Sequence, residues 1–467
     1  MAGASRVEPM NAAIAAVGSY QSPPVQRTFF GHPRGLAYIV FAEGWERFSF
    51  YGMQALLVLY MTGQLLKAGS VENIAGFAAF RSLLESVLGP LSTQALASQI
   101  FGLYIALVYF FPILGGLIGD RFTGRTRAVI AGALLMAIGH FLMVFESAFL
   151  IALGALIFGS GLLKGNLAAQ VGDLYDKSDS RRDSAFSMYC LAINVGAFVA
   201  PLVCGTLGEL YGWHYGFGVA GLGMLVGIAI YMRGKRHLPP DRVTSKASAP
   251  VQLQPGDASA IVALAGVIAV VALYWIGQTQ VWNTYPLWLR DRVDRDLFGF
   301  NIPVTWFQSF DTLAVLALAP AVIWYWRRQA KRGAEPKDLT KIAAGCAAFA
   351  IGCALLGVGA TLSGGSRISI LWPLAFHFVC AIGYLYTWPI TLTFVSRAAP
   401  AAVNAMMVGA TYLAMFLGGL LSGWLGRFYE TLSTTQFWSM HGAIVGCGTV
   451  LILILRGPLL RVLRVTA

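Results

Sequence analysis

Charged side chains are scarce in this 467-residue sequence, making up 12% of it, about half the share found in an ordinary soluble domain. Hydrophobic residues reach 57%. A soluble core cannot hide so much apolar surface, so lipid is the solvent that the composition implies. The six cysteines (Cys190, Cys204, Cys346, Cys353, Cys380 and Cys447) all fall inside apolar stretches and form no C-x-x-C pair. That excludes a disulfide framework or a zinc ribbon and leaves them as small packing residues. The six histidines show no ligand spacing, and His140 and His377, inside apolar runs, read as packing residues, with a proton-relay role as the alternative. No nucleophile–base pair, metal-ligand cluster or phosphate loop stands out. Neither an enzyme nor a resident metal or cofactor is expected. The first 34 residues hold only a short apolar run at 12–18 without a basic flank, so they read as a solvated tail rather than a cleavable signal. The loops contain no N-x-S/T sequon, which suits a bacterial inner membrane.

Long apolar runs are what the sequence has instead. They recur at about 35–62, 97–119, 126–145, 148–172, 184–208 and 214–232, and resume at about 259–288, 302–326, 339–362, 369–396, 400–426 and 436–456. Each offers the ~20 residues a helix needs to cross hydrocarbon. The expected fold class is therefore an all-α membrane protein with 12 transmembrane helices in two six-helix bundles, residues 35–232 and 259–457. A polar linker (233–258) joins the bundles, and tails (1–34 and 458–467) flank them. Between the first two runs, Phe77, Phe80, Leu83, Leu84 and Leu88 suggest an amphipathic helix lying on the membrane.

Basic residues are distributed unevenly among the loops. Alternate loops, counted from the N-terminal tail, hold 24 Lys/Arg, and the opposite loops hold seven. The positive-inside rule then places both termini and the linker in the cytoplasm. It also accounts for the net charge of +12 without a nucleic-acid partner. The two remaining basic residues, Arg47 and Lys164, lie within spans, as do Glu43 and Glu46. Spacings of i, i+3 and i+4 put Glu43, Glu46 and Arg47 on one helical face. Four unpaired charges at membrane depth would cost on the order of 10 kcal/mol. They are therefore expected to face a polar cavity and neutralise one another, two acids against two bases. A carboxylate released from its basic partner takes a proton more readily, which couples substrate binding to protonation. Asp311 is the comparable acid of the second half, on a face shared with Gln308 and Ser309. It is read either as a cavity group or as a solvated residue at a helix end.

These residues sit inside recognisable motifs. Glu43-Gly44-Trp45-Glu46-Arg47-Phe48-Ser49-Phe50-Tyr51-Gly52 resembles the E-x-x-E-R-F-x-Y-Y-G signature of the proton-coupled oligopeptide transporters. Gly115-Gly116-Leu117-Ile118-Gly119-Asp120-Arg121, followed by Gly124-Arg125-Thr126-Arg127, is similar to the loop motif of the wider major facilitator superfamily. Further likenesses lie in Phe186 to Tyr189 with Asn194 to Pro201, in Gly159 to Asn166, in Phe307-Gln308-Ser309 and in Arg397 to Pro400.

The resemblance implies the major facilitator fold, alternating access and proton-driven uptake of small peptides. On matching positions it implies that Arg47 and Lys164 receive the substrate carboxylate and that Glu43, Glu46 and Lys164 take part in proton coupling. Tyr51, Tyr109 and Asn194 would line the pocket, and Asp120, Arg121 and Arg125 would form a latch between the bundles. The chain departs from the family pattern at several points. Phe50 replaces a signature Tyr, Gly165 a Pro, and Gln54 stands where some members carry an Arg. Gly277 and Tyr384 stand where acids are usual, Asp311 stands where an Asn is usual, and the linker has no room for two extra helices. Asp311, Tyr384 and Trp388 are the candidate substrate contacts of the second half, with Trp275 and Trp282 as further aromatics. A transporter for a non-peptide organic acid and a drug or metabolite exporter remain as alternatives.

Overall fold

The structure, a computed structural model, describes residues 28–176, 178–241, 243 and 253–463. The expected N-terminal tail up to residue 27, linker residues 244–252 and the last four residues lie outside the described residues. Helices account for nearly all of the rest. The first, α1, spans Arg34–Tyr60 and runs on through a π-turn at Met61–Leu65; the short α2 (Phe77–Leu88) follows. Next come α3 (Thr93–Ile118), α4 (Arg125–Leu142), α5 (Phe149–Asp173), α6 (Arg181–Ala200), α7 (Thr206–Tyr211) and α8 (Trp213–Gly234). The second half holds α9 (Asp257–Gln280), α10 (Thr284–Arg292), α11 (Trp306–Lys331), α12 (Asp338–Leu362), α13 (Leu371–Ala398), α14 (Asn404–Ala410), α15 (Tyr412–Leu425) and α16 (Thr434–Leu463). A two-stranded hairpin, β1 (Asp296–Leu297) against β2 (Phe300–Asn301), lies between α10 and α11.

Among the described residues eleven helical segments are long and apolar enough to cross a membrane. The charged α1 falls outside that criterion, and with it the expected twelve are complete. The protein is an all-helical membrane protein. Three expected spans are not single helices. Residues 281–283 interrupt the seventh, where Gln280 turns back to accept a hydrogen bond from the Thr284 hydroxyl (2.7 Å) and to donate to Ser422 O (3.0 Å). Thr411 divides the eleventh, and a π-turn at Pro201–Gly205 separates α6 from α7. Such breaks survive at membrane depth because side chains and neighbouring helices satisfy the freed backbone groups. The amphipathic α2 is present between two glycines of positive φ, Gly76 and Gly89. Phe77 is buried while Phe80, Leu84 and Leu88 pack on the core, and Leu83 turns outward.

Within the first half α1 packs against α6 and α8, and α5 against α3 and α4. Within the second, α12 packs against α13 and α16, α15 against α9, and α11 against α13. The halves meet mainly along α3 with α15 and α6 with α11. On the α3–α15 seam a Cβ at Gly102 would lie 2.6 Å from both Gly419 O and Gly423 Cα, so backbone touches backbone there. Every hydrogen bond between the halves among the described residues lies on the side of the α1–α2 connection or toward the middle of the bundle. Arg290 donates to the Thr62 hydroxyl (3.2 Å), Arg427 to Leu88 O (3.0 Å) and Ser309 to Phe198 O (2.6 Å); Ser92 pairs with Glu430. Glu209 accepts from the backbone amides of Val304 (2.9 Å) and Thr305 (2.8 Å) and from the Thr305 hydroxyl (2.7 Å). The far side is therefore closed. On the side that holds the start of α1 no hydrogen bond joins the halves among the described residues.

Candidate functional site

Three turns into α1, Glu43 and Glu46 are fully buried and Arg47 nearly so. Arg47 Nε lies 2.7 Å from Glu43 Oε1 and 2.8 Å from Glu46 Oε2. Only the first contact has hydrogen-bond geometry, which leaves Glu43 Oε2 and both oxygens of Glu46 without a donor. Lys164, from α5, has no ion pair among the described residues, and its buried Nζ has no hydrogen-bond partner. It rests 3.7 Å from the centroid of the Phe50 ring and 5.5 Å from that of Tyr109. The expected pairing of two acids with two bases is thus corrected. Arg47 serves both acids, and Lys164 is held by aromatic faces, which attract a cation but supply no counter-charge.

An aromatic wall continues from that point into the second half. Tyr109 stacks on Tyr412 at 6.4 Å, Tyr412 meets Trp388 at 5.6 Å, and Trp388 meets Trp275 at 5.2 Å. Tyr51 lies 5.4 Å from Trp282, ring to ring across the halves. Tyr384 is half-buried one turn before Trp388. Asn194 is half-buried on α6 but spends its amide on its own helix, donating to Cys190 O (2.8 Å).

Asp311 is not a solvated helix end. Its side chain is 14% exposed, and Oδ1 lies 2.9 Å from Nδ1 of the fully buried His377 on α13. His377 Nε2 in turn meets the Tyr285 hydroxyl of α10 at 2.9 Å. The reading of His377 as a mere packing residue is corrected by these two bonds. The sequence singled out His377 but not its pairing with Asp311, and Tyr285 it did not reveal at all, because a lone His in an apolar run carries no sign of what it bonds. His140 is fully buried with neither ring nitrogen bonded, as a packing residue would be. Gly277 is no vacant acid position facing a cavity. A Cβ there would meet Phe349 at 2.6 Å and Val445 at 2.8 Å, so any side chain would be driven into the packed interior of the second half.

The loop motif acts within one half. Arg125 Nε pairs with Asp120 Oδ1 at 2.8 Å and its other arm reaches Asp173, tying α3, α4 and α5 together. Arg121 is exposed and makes no ion pair among the described residues. In this conformation the expected latch between bundles is a clasp inside the first half. Two clefts of about 420 and 490 Å³ open on the far side, and no predicted site residue lines either of them.

Two packed groups of helices, closed against each other on one side, with buried charges facing the seam, define a major facilitator transporter. Comparison with known proteins narrows the class. The model of the POT family matches residues 126–252 and 243–440. Peptide transporter YePEPT of Yersinia enterocolitica subsp. palearctica serotype O:3 (strain YE-P4) is 30% identical over 92% of this chain and 96% of its own length. A di-/tripeptide transporter of Lactococcus lactis subsp. cremoris is 27% identical over 94% and 98%. Among solved structures, peptide transporter POT in complex with sulfate superposes with a TM-score of 0.82, at 27% identity over 94% of this chain and 97% of that one. A POT family transporter in complex with 5-aminolevulinic acid gives 0.79, at 25% identity over 93% and 98%. The chain belongs to the POT family of proton-dependent oligopeptide transporters. It is a multi-pass membrane transporter and not an enzyme.

Proposed function

We propose that this chain is a proton-coupled symporter that imports di- or tripeptides, or a related small substrate bearing a carboxylate, by alternating access. The observation that carries the reading is the buried ammonium of Lys164, which has no anion and no hydrogen-bond acceptor. A buried charge demands a partner, and a substrate carboxylate supplies one. Arg47 is the second arm of that receptor. When the substrate draws Arg47 away, Glu43 and Glu46 lose their cation, and the carboxylate left in low dielectric takes up a proton. Tyr51, Tyr109, Asn194, Tyr384 and Trp388 line the space, and Asp311 offers a counter-charge to a substrate amine. Asp120 and Arg125, with Asp173, brace the first half during rocking, and Arg121 keeps its role as a candidate latch residue only in another conformation.

With the termini and the 233–258 linker in the cytoplasm of a bacterial cell, as the basic loops favour, the side without hydrogen bonds between the halves is cytoplasmic. The structure would then be the inward-facing state, with halves at 35–232 and 259–457. The bound 5-aminolevulinic acid of the relative and the dipeptide cargo of others share one feature, a carboxylate next to a short chain. Counterflow in proteoliposomes tests the reading with dialanine and with its C-terminal amide. Saturable exchange of the acid and loss of most affinity for the amide is the expected result. Equal handling of both would make Arg47 and Lys164 structural. The second reading, a non-peptide organic acid as cargo, is favoured by Tyr384 standing where a family acid is usual. Exchange of organic acids without dialanine exchange would select it.

A further inference from the structure

Asp311 carries the second half's buried negative charge without a basic residue beside it. Its only ion-pair partner among the described residues is His377, which counts as a charge only when protonated. The groups that face this pair are few. Tyr285 comes from α10, Tyr274 from α9, Cys380 and Tyr384 from α13, and Tyr51 reaches across from α1. None of these is a cation. Phe310 and Phe376 pack against the His377 ring, Trp288 stacks on Tyr285, and Trp438 backs Phe376, so apolar rings cover all but the exposed edge of Asp311. An anion in such a shell is unfavourable unless something compensates it.

We propose that Asp311, His377 and Tyr285 form a second proton-binding site, separate from Glu43 and Glu46. The geometry accepts one proton without losing a hydrogen bond. In the unprotonated form Tyr285 donates to Nε2, and Nδ1–H donates to the Asp311 carboxylate. One solvent proton arriving through the exposed edge of Asp311 turns the imidazole into an imidazolium. Both ring nitrogens then donate, one to Asp311 Oδ1 and one to the Tyr285 oxygen, whose own hydrogen rotates away. The site changes from a net charge of minus one to zero, and no bond other than N–H or O–H forms or breaks. Its role in symport rests on the functional reading above, whereas proton binding itself does not.

The test is magnetic resonance of the full chain labelled with [15N]histidine, in lipid and without substrate, at several pH values between 8 and 5. The His377→Gln variant identifies the His377 signals among the six histidines. Expected is a neutral, Nδ1-protonated ring at pH 8 and a doubly protonated ring at pH 5. Asp311→Asn, which keeps the size but removes the charge, should hold the ring neutral at pH 5. A His377 signal that does not change in the wild type overturns the proposal, and so does an unchanged pH response in Asp311→Asn. If Asp311→Asn fails to fold, Tyr285→Phe takes its place. A ring that is doubly protonated at pH 8, or neutral at pH 5, in that variant alone supports a shared site, and a response like that of the wild type overturns it. Absence of dialanine transport would defeat the functional reading while leaving this result intact.

Discussion

The two halves treat buried charge in opposite ways. The first crowds two acids and two bases into the seam between α1 and α5, and leaves several of their polar atoms unbonded. The second carries one acid and satisfies it with a buried histidine and a tyrosine. Unsatisfied buried groups store free energy that a ligand can release, whereas satisfied ones fix a structure. The first half is accordingly built to respond to an incoming anion. The second is built to hold its shape around a single exchangeable position.

The sharpest way to break this contrast is to remove the free base. Lys164→Ala should reduce dialanine uptake driven by an acid-outside gradient by at least about a hundredfold, the loss expected when a partner of ~3 kcal/mol or more is deleted. Concentrative uptake at the wild-type rate by this variant would end its coupling role. Next in size is Arg47→Ala, which strands two buried carboxylates. Breaking a buried pair costs about 3–5 kcal/mol, so thermal unfolding in detergent should shift down strongly at neutral pH and recover part of the loss in acid. Asp311→Asn should shift it much less, and an equal shift would erase the contrast.

A third change addresses the closed side. Glu209→Gln exchanges charge-assisted hydrogen bonds for neutral ones, a loss of about 1–2 kcal/mol. Spin-label distances across the far side should then show a population open on that side enriched roughly tenfold. An unchanged distribution would place the closure elsewhere. The smallest effect is expected from Phe50→Leu, which removes the ring under Lys164, worth about 1–2 kcal/mol when desolvated. Dialanine affinity should change by no more than about tenfold, with the maximal rate retained.

Much of the architecture could be read from hydropathy, because lipid imposes one rule on every span. The charge asymmetry of loops and the cluster at Glu43, Glu46 and Arg47 were equally plain, since helical spacing alone puts those three together. Lys164 was visible as an intramembrane cation, but its partner was not. Pairing between α1 and α5 depends on the rotation and depth of each helix, and a spacing argument contains neither. The same blindness hid the bond between Asp311 and His377, 66 residues apart. The interruptions at 281–283 and Thr411 escaped for another reason: polar residues such as Gln280, Asn283 and Thr411 are tolerated inside a continuous helix, so their presence in an apolar run does not by itself mark a break. Gly277 misled for a different reason. Its place in the sequence suggested a lost acid, while its missing Cβ is what allows Phe349 and Val445 to close over the helix.

The glycine contact between α3 and α15 bears on how such a molecule can move at all. Interlocked side chains are cogs: they permit a few registers and resist everything between. Gly102, Gly419 and Gly423 instead press smooth backbone on smooth backbone, so the two helices can roll by small angles without any rotamer having to jump. The seam is a journal bearing in a machine otherwise made of gears. A single methyl at position 102 would act as grit in it, slowing the swing between the two faces of the membrane while leaving the substrate's own contacts untouched.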